Sequence, residues 1–295
     1  NDLKSQKPKN MQIIDMAGKV SLSPLLRKFL KGKRVGINSG FLPYRYYKFI
    51  KKEAKPRKIV DASRSMLLGR SIKDGFEMRS IERAVQITKK SMKLIQKDFR
   101  IGMTELELTA KFNYISMTLG SEENNLPAVV AFGKNTATPH HMPDNTRLKK
   151  GDLILIDTGS KVNNYCSDIT RTFIFGKKDM SDYRRKLEIY NVVKEAQSRA
   201  IKFIKPGLKG KEIHAIAENY INSAANGKYA GRFTHALGHS IGIEMHDGLG
   251  FYPSSEYKFK ENCVMTVEPG IYVPGFGGVR IEDDIVITKS GARVL

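Results

Sequence analysis

Apolar residues recur at helical spacing in the middle of the chain. From Met78 to Phe99 they alternate in steps of three and four, which predicts a long helix with one apolar stripe. Thr104 and Glu107 form a capping box, so a second helix is expected to begin there. The apolar run from Leu126 to Phe132 then predicts a buried strand. The order in this part of the chain is therefore helix, helix, strand.

The same order returns later in the sequence. A long helical pattern begins at Ser181 and ends before Pro206-Gly207, and a second helix is predicted from about 211 to 225. The segment 101–106 is also similar to the segment 205–213, with a short insertion in the latter. These parallels predict an internal duplication about a pseudo-twofold axis, contained in one domain.

Near the end of the chain, two apolar runs predict an antiparallel hairpin. Cys263–Val273 and Gly278–Thr288 flank a turn that is rich in proline and glycine and centred on Gly275. Residues that face each other in a hairpin are equidistant from the middle of its turn. Glu268 and Glu282 meet that condition, so the two carboxylates are predicted to lie opposite each other.

A second acidic pair is predicted in the first half. Asp157 ends the apolar run Leu153–Ile156, and Asp168 follows across a turn at Val162-Asn163-Asn164. The midpoint of the two acids falls in this turn, so they too are predicted to face each other. Like charges directly opposite destabilise a sheet, and a bound cation would offset the repulsion. Two such pairs together with His239 predict a site for two metal ions.

Each of these residues also has an ordinary structural explanation. Asp157 could cap a turn, Asp168 could pair with Arg171, and Glu282 could pair with Arg280. A single histidine between small residues is more often structural than catalytic. The joint pattern favours the metal site, because buried carboxylates need partners and four of them recur in matched positions. Mainly oxygen donors with one imidazole suit Mn²⁺, Co²⁺, Fe²⁺ or Zn²⁺.

Composition adds little to this interpretation. The 295 residues carry a formal net charge of +21, which by itself would fit a nucleic-acid-binding protein. The lysines are scattered and no nucleic-acid motif is found, so no nucleic-acid partner is expected. There is no apolar run of about eighteen residues, so no membrane partner is expected either. The two cysteines form no CxxC motif, which favours a reducing cytoplasm.

The first part of the chain is basic and has a different pattern. Two short strands are predicted at Val35–Ile37 and Lys58–Asp61, with a helix between them from Pro43 to Ala54. We interpret residues 1–73 as a truncated N-terminal α/β domain, because this segment is small for a core of its own and the chain does not begin with Met. Residues 74–295 are predicted to be the catalytic domain.

The candidate ligands lie in five short motifs. In chain order, these are Leu155–Gly159, Tyr165–Thr172, Gly238–Gly242, Glu268–Tyr272 and Val279–Asp284. The motifs resemble those of the Xaa-Pro peptidases, namely prolidase and aminopeptidase P, which belong to the wider pita-bread metallopeptidase group that also contains methionine aminopeptidase and creatinase. The resemblance covers about residue 74 to the end and implies an α+β pita-bread fold with pseudo-twofold duplication, preceded by the remnant of a small α/β domain.

The resemblance implies five metal ligands. Asp157 would hold one ion, His239 and Glu268 the other, and Asp168 and Glu282 would bridge both. A bridging hydroxide, formed because two cations lower the pKa of water, would attack the scissile carbonyl. Glu268 would also carry the proton to the leaving nitrogen. The resemblance does not fix the native metal among Mn, Co, Fe and Zn.

The resemblance also implies residues around these ligands. His246, His235 and His140 would steady the tetrahedral intermediate and the substrate. Arg280 would support a ligand carboxylate through a charge-assisted hydrogen bond. Tyr272 lies where the family contacts the substrate proline. Together these residues would bind and orient a peptide with proline in its second position.

Two departures from the family pattern leave questions open. The residue after His140 is usually small but is His141 here, so either histidine could be the functional one, and Ser240 replaces the commoner glycine. All five ligands are present, which argues against the creatinase branch. The implied function is a hydrolase acting on Xaa-Pro dipeptides. The alternatives are an aminopeptidase P acting on longer peptides and a non-catalytic peptide-binding module. Since the family is commonly dimeric, a homodimer is expected.

Overall fold

The computed structural model of the chain describes residues 21–123, 128–176 and 181–295. The chain divides into two compact units between Leu68 and Gly69. The predicted domain boundary at residue 73 stays a prediction. The first twenty residues, and residues 126–127 of the predicted strand, lie outside the described residues.

The smaller unit contains a parallel pair of strands joined by a helix. Arg34 pairs with Lys58 and Ile37 with Asp61, and the connecting helix begins one residue after Pro43. Both predicted strands and the predicted helix are confirmed. The elements are α1 (Leu22–Leu30), β1 (Arg34–Ile37), α2 (Tyr44–Ala54), β2 (Lys58–Asp61) and α3 (Ser63–Ser71), the last of which continues past the division.

The first half of the larger unit packs two helices on an antiparallel sheet. The capping box of Thr104 and Glu107 is present. The predicted apolar stripe of the long helix is buried from Ile81 to Ile95, where the helix ends, whereas Met78 and Phe99 are only partly buried. The elements are α4 (Gly75–Ile95), α5 (Glu105–Thr118), β3 (Val129–Phe132), β4 (Leu153–Thr158), β5 (Lys161–Val162), β6 (Tyr165–Cys166) and β7 (Ile169–Ile174). The sheet order is β3-β4-β7, with a small hairpin between β4 and β7.

The second half repeats this arrangement. Two helices are again followed by antiparallel strands. The elements are α6 (Tyr183–Phe203), α7 (Gly210–Ser223), β8 (Val264–Val267), β9 (Gly270–Val273), β10 (Gly277–Arg280), β11 (Asp283–Thr288) and β12 (Gly291–Val294). The strands form a sheet of order β12-β11-β8 and a separate pair of β9 with β10.

The turn between the two helices is the same in both halves. Gly102 and Gly207 both have a positive φ, of 85° and 90°. Their amides donate to the carbonyls of Leu148 and Phe259, at 2.8 Å in each case. The long helices both have 21 residues and the short helices both have 14. The predicted duplication is therefore seen in the backbone as well as in the order of elements.

The predicted insertion in the second turn is wrong. Glu107 accepts the amide of Thr104, and Glu212 accepts the amide of Lys209, both at 2.7 Å. Each glutamate follows its turn glycine by the same number of residues, so the two turns align without a gap. In this alignment Pro206 corresponds to Ile101 and Lys209 to Thr104, and these unlike residues hide the match in the sequence.

The core of the larger unit consists of clusters that lie between the helices and the sheets. One packs α6 and α7 against β8, β9, β10 and β11, and another packs α4 and α5 against β3 and β4. Cys166 and Cys263 are both buried and are not joined in a disulfide. Within the described ranges, no helix combines the length and the apolar character needed to cross a membrane.

Candidate metal centre

The hairpin of the second half brings Glu268 and Glu282 opposite each other, as predicted. Val273 pairs with Gly277 beside the turn, and Val267 pairs with Asp283 further along. These two sets of paired residues follow the same register. The strand pairing stops between these two ladders, and both glutamates lie in the gap. The amide of Glu282 donates instead to the carbonyl of Thr170, at 3.1 Å, which belongs to the first half. The gap therefore frees the backbone of Glu282 to bond to the first half, whereas the amide of Glu268 donates to Leu237 of its own half.

In the first half, the predicted direct pairing of Asp157 with Asp168 is wrong. The turn consists of Asn163 and Asn164 alone, both with positive φ, as a tight two-residue hairpin turn requires. The register is therefore centred between these two asparagines, and Asp157 pairs with Thr170. Asp168 lies two residues away from the pairing position. Because side chains on one face of a strand recur every second residue, it is still a diagonal neighbour of Asp157 on the same side.

The two halves meet at a cavity that contains most of the predicted site. All five predicted metal ligands line it, together with the three predicted histidines and the arginine. The predicted residues on its wall are Asp157, Asp168, His239, Glu268, Glu282, His140, His235, His246 and Arg280.

The potential ligand atoms are close enough to share cations. His239 Nε2 lies 3.6 Å from Asp168 Oδ2 and 3.4 Å from Glu268 Oε1. Asp168, His239 and Glu282 each offer one ligand atom, and these atoms lie within 4.8 Å of one another. Asp168 Oδ1 is buried and has no hydrogen-bond partner among the described residues. An unpartnered carboxylate oxygen of this kind fits a site for a divalent cation.

The carboxylates repel one another and are poorly solvated. Burial raises the pKa of Asp168 well above its usual range, and the charges of Glu282 and Asp157 add to the effect. Burial, then the charges of Glu268 and Asp157, raise the pKa of Glu282 in the same way. Burial also raises the pKa of Glu268 to about 8, although Arg280 opposes it. The metal-free site therefore disfavours its own charge, which bound cations would neutralise.

Arg280 offsets part of this charge. One of its amino groups donates to Asp157 Oδ2 at 2.6 Å, and the other donates to the hydroxyl of Tyr272 at 2.7 Å. Burial favours protonation of Asp157, but the guanidinium outweighs it and lowers the pKa of this carboxyl. The support of a ligand carboxylate by Arg280, which the resemblance implied, corresponds to a contact in the structure.

The buried histidines around the site are neutral at neutral pH. Burial, reinforced by the charges of Arg280 and His246 respectively, lowers the pKa of His235 and of His239 to about 4. His239 Nδ1 lies 3.3 Å from the carbonyl of Ser240, to which it can donate, so Nε2 carries the lone pair that faces the acids. The rings of His239 and His246 stack with centroids 3.9 Å apart.

The structure separates the two candidate histidines. His140 lines the cavity, whereas His141 Nε2 lies 2.7 Å from a carboxylate oxygen of Glu105, and His141 is not among the cavity residues. Tyr272 is only 4% exposed and lies behind the wall, where its hydroxyl contacts His235 Nε2 at 2.7 Å. Its contact with the substrate stays a prediction.

Two supporting residues were missed in the sequence. The hydroxyl of Thr170 donates to Glu282 Oε2 at 2.6 Å, and the buried carboxylate of Asp284 accepts the amide of Asp168 at 2.9 Å. Thr170 and Asp284 each lie two residues after a predicted ligand. Because alternate residues of a strand share a face, this spacing was a signal that could have identified both.

Buried acids, neutral imidazoles and an unpartnered carboxylate oxygen around one cavity define the class of metal-dependent hydrolases. Residues 79–289 match the metallopeptidase family M24, and the chain belongs to this family. It is therefore a metallopeptidase. The α+β architecture is the pita-bread fold of these enzymes, which confirms the predicted fold class.

Three proteins with a named peptidase activity are similar to this chain. The chain is 39% identical to an Xaa-Pro dipeptidase of Pyrococcus horikoshii, and the match covers 91% of this chain and 74% of that protein. An Xaa-Pro dipeptidase from Bacillus anthracis has a similar structure, with a TM-score of 0.91, 33% identity, and coverage of 99% of this chain and 81% of that one. An X-Pro aminopeptidase from Thermotoga maritima gives a TM-score of 0.89 at 30% identity, covering 99% and 82%.

Proposed function

We propose that this chain is a dinuclear metal-dependent peptidase that hydrolyses the Xaa-Pro bond of dipeptides. The observation that carries the proposal is the convergence of four carboxylates and one neutral imidazole on the cavity, each from a motif shared with Xaa-Pro peptidases. The 39% identity to an Xaa-Pro dipeptidase supports the substrate class.

The donor set fits two divalent ions. Asp157 would hold one ion, His239 and Glu268 the other, and Asp168 and Glu282 would hold both. When bound, two such ions supply Lewis-acid charge that lowers the pKa of water and polarises a carbonyl. Mn²⁺, Co²⁺, Fe²⁺ and Zn²⁺ all accept this mixture of oxygen and nitrogen ligands.

The remaining residues of the cavity would act on the substrate. Glu268 would carry a proton to the nitrogen of the departing proline, because its carboxylate lines the cavity beside the proposed ions and the substrate. His140 and His246 line the same cavity and would donate hydrogen bonds to the peptide. His235 also lines it, but its two ring nitrogens already contact the carbonyl of Ala236 and the hydroxyl of Tyr272, so it would orient the substrate by packing. Arg280 would keep Asp157 ionised and oriented, because it donates to that carboxylate at 2.6 Å.

The second candidate is an Xaa-Pro aminopeptidase that acts on longer peptides. The TM-score of 0.89 to an X-Pro aminopeptidase, close to the 0.91 to the dipeptidase, supports it. A non-catalytic peptide-binding module on the same fold is disfavoured, because a module of that kind has no use for the full set of acids and histidines in this cavity. We further propose a cytoplasmic homodimer, on the basis of the cysteine pattern and the resemblance to commonly dimeric enzymes.

The proposal is tested by measuring hydrolysis of Met-Pro, Gly-Pro and a longer Xaa-Pro peptide after chelation and after adding back Mn²⁺ or Co²⁺. We expect chelation to abolish hydrolysis, added metal to restore it, and the dipeptides to be preferred. Met-Ala serves as the control substrate and should remain uncleaved. Preference for the longer peptide would select the aminopeptidase, and full activity in excess chelator would reject a metallopeptidase mechanism.

A further inference from the structure

The cavity histidine His140 lies on a segment with little regular structure. This segment, residues 133–144, begins with a short 3₁₀ helix at Gly133–Ala137 and then has no helix or strand. No hydrogen bond to the ring of His140 is found among the described residues. The position of this ring is therefore set by whatever holds the backbone of the segment.

Glu105 binds the backbone at both ends of the segment through hydrogen bonds. It is the first residue of α5 and is fully buried, at 0% exposure. One of its oxygens accepts the amide of Phe132 at 2.7 Å, directly before the segment. The other accepts the amide of Asp144 at 3.0 Å, at the end of the segment. A single carboxylate thus joins both ends of the segment.

The same carboxylate also accepts from two side chains of the segment. Asn135 Nδ2 donates at 3.0 Å and His141 Nε2 at 2.7 Å. His141 directly follows His140, and the two rings occupy different surroundings, one at the carboxylate and the other at the cavity. Anchoring His141 therefore fixes the direction in which His140 points.

The group Glu105, His141 and Asp144 has the side chains of a small metal site, and their ligand atoms are close together. The contacts contradict that use. Both oxygens of Glu105 are surrounded by N–H donors, which a cation would repel and which already satisfy the buried charge. The cluster is better explained as a hydrogen-bonded support.

We propose that Glu105 and His141 are positioning residues that fix His140 in the cavity. This rests on the proposed function, in which His140 contacts the substrate. It also gives a role to His141, which departs from the small residue usual at this position. A misplacement of about 1 Å at a reacting group can lower a rate about 100-fold, so the support is expected to affect turnover.

The test is a double-mutant cycle of Glu105→Gln with His140→Ala. Glutamine keeps the size but turns an amide donor towards groups that already donate. We expect Glu105→Gln to lower kcat/KM for Met-Pro about 10-fold to 100-fold, with unchanged metal content. In the double variant, the loss should equal that of His140→Ala alone, because both changes remove the same contribution.

Glu107→Gln is the matched control. It makes the same substitution on the same helical turn, where the exposed side chain only caps the helix. Glu107→Gln should lower kcat/KM by no more than about 2-fold. In the double variant with His140→Ala, the two fold-losses of kcat/KM should multiply, as expected for independent sites. If the fold-losses of kcat/KM caused by Glu105→Gln and His140→Ala also multiply in the double variant, Glu105 does not act through His140 and the inference is wrong.

A second measurement does not depend on activity. In a histidine-ring NMR spectrum of the metal-free protein, the His140 signal is identified by its loss in His140→Ala. Glu105→Gln should shift or broaden it, and Glu107→Gln should not. If the wild type cleaves no Xaa-Pro peptide, the proposed function fails while this spectrum still decides the inference. If Glu105→Gln does not fold, His141→Gln, which alters only one of the four contacts, takes its place in both measurements.

Discussion

The four acids of the cavity differ in what surrounds each carboxylate. Asp157 has a guanidinium partner, whereas Asp168 has a buried oxygen without a partner among the described residues. Asp168 also lies within 4.8 Å of ligand atoms of both His239 and Glu282. It is therefore the acid whose removal should disturb bound cations most.

We predict that Asp168→Ala lowers the metal content from about two ions per chain to fewer than one, because this residue would bind both ions. Elemental analysis after dialysis against Mn²⁺ measures the change. Asp152→Asn is the control, since burial raises the pKa of that carboxyl too but it lies outside the cavity. Two ions retained in Asp168→Ala would contradict a bridging role.

A second prediction concerns His214, which lies in α7. Its Nδ1 accepts the amide of Leu237 at 3.2 Å, and its ring stacks on Phe233. Burial lowers its pKa below the ordinary 6.5. Below pH 6.5 the unfolded chain takes up a proton that the folded protein resists, so the free energy of unfolding should decrease as the pH falls.

Urea unfolding at pH 7.5 and pH 5.5 measures this dependence. Because other buried histidines titrate as well, the informative quantity is the difference between the wild type and His214→Gln. The variant should lose less stability between the two pH values than the wild type does. An equal loss in both proteins would mean that His214 does not contribute.

The acids and His239 could be predicted from the sequence because each lies next to an apolar run or a glycine that fixes its place. The choice between His140 and His141 could not, since adjacent residues of an irregular segment have no periodicity to separate them. The location of Tyr272 behind the cavity wall was equally hidden, because it depends on the long-range contact with His235.

At the scale of elements, the loop that carries His246 is anchored by a buried ion pair. Lys73 Nζ lies 3.1 Å from Asp247 Oδ2, and the two side chains are 1% and 4% exposed. Arg70 contacts the other oxygen of the same carboxylate. Removing one member of a buried pair leaves a charge that is only partly compensated.

Lys73→Met is therefore expected to lower the free energy of unfolding by about 3 kcal/mol. The matched control is Lys111→Met, whose partner Asp98 is 2.8 Å away but whose pair is largely exposed, at 43% and 33%. Its cost should stay below about 1 kcal/mol. Equal costs in chemical denaturation would show that the buried pair does not anchor the loop.

The sequence predicts the register of one hairpin correctly and that of the other incorrectly. The register about Gly275 was correct because a turn rich in proline and glycine marks its own centre. In the other hairpin the predicted register is displaced, because Val162 pairs with Tyr165 and therefore belongs to the strand rather than to the predicted turn. Only the positive φ of both asparagines fixes a two-residue turn, and a sequence does not display φ.

At the scale of the whole molecule, the duplication makes a quantitative prediction. Gly102 and Gly207 occupy equivalent turns with positive φ, and a Cβ added at either would meet no atom within 4 Å. Each substitution by alanine should therefore cost only the backbone strain, about 1 to 2 kcal/mol. The two costs should be equal and should add in the double variant, because the sites are independent.

Chemical denaturation of the two single variants and the double variant measures these costs. Gly32→Ala, also with positive φ and an open Cβ position, is a control outside the duplicated region. Clearly unequal costs for Gly102→Ala and Gly207→Ala would mean that the two turns are energetically different despite their matching backbones.

The order of helices and strands was sufficient to predict the duplication, since amphipathic periodicity is a local property. The junction between the halves was not predictable in the same way. Contacts such as that of the Glu282 amide with Thr170 join residues that are far apart in the chain. No local pattern specifies them, and they are what closes the cavity.

The interrupted hairpin of the second half has an evolutionary consequence. In the registers of the two hairpins, Glu268 occupies the position of Asp157, and Glu282 that of Thr170, two residues from Asp168. His239 lies beside Thr266 in the second half, and the corresponding position of the first half, opposite Leu155, is occupied by Ala131. Two copies of one ancestral repeat would therefore have supplied the acid shared by Asp157 and Glu268, and the second acid and the imidazole are the points at which the descendants of a symmetric pair became chemically distinct.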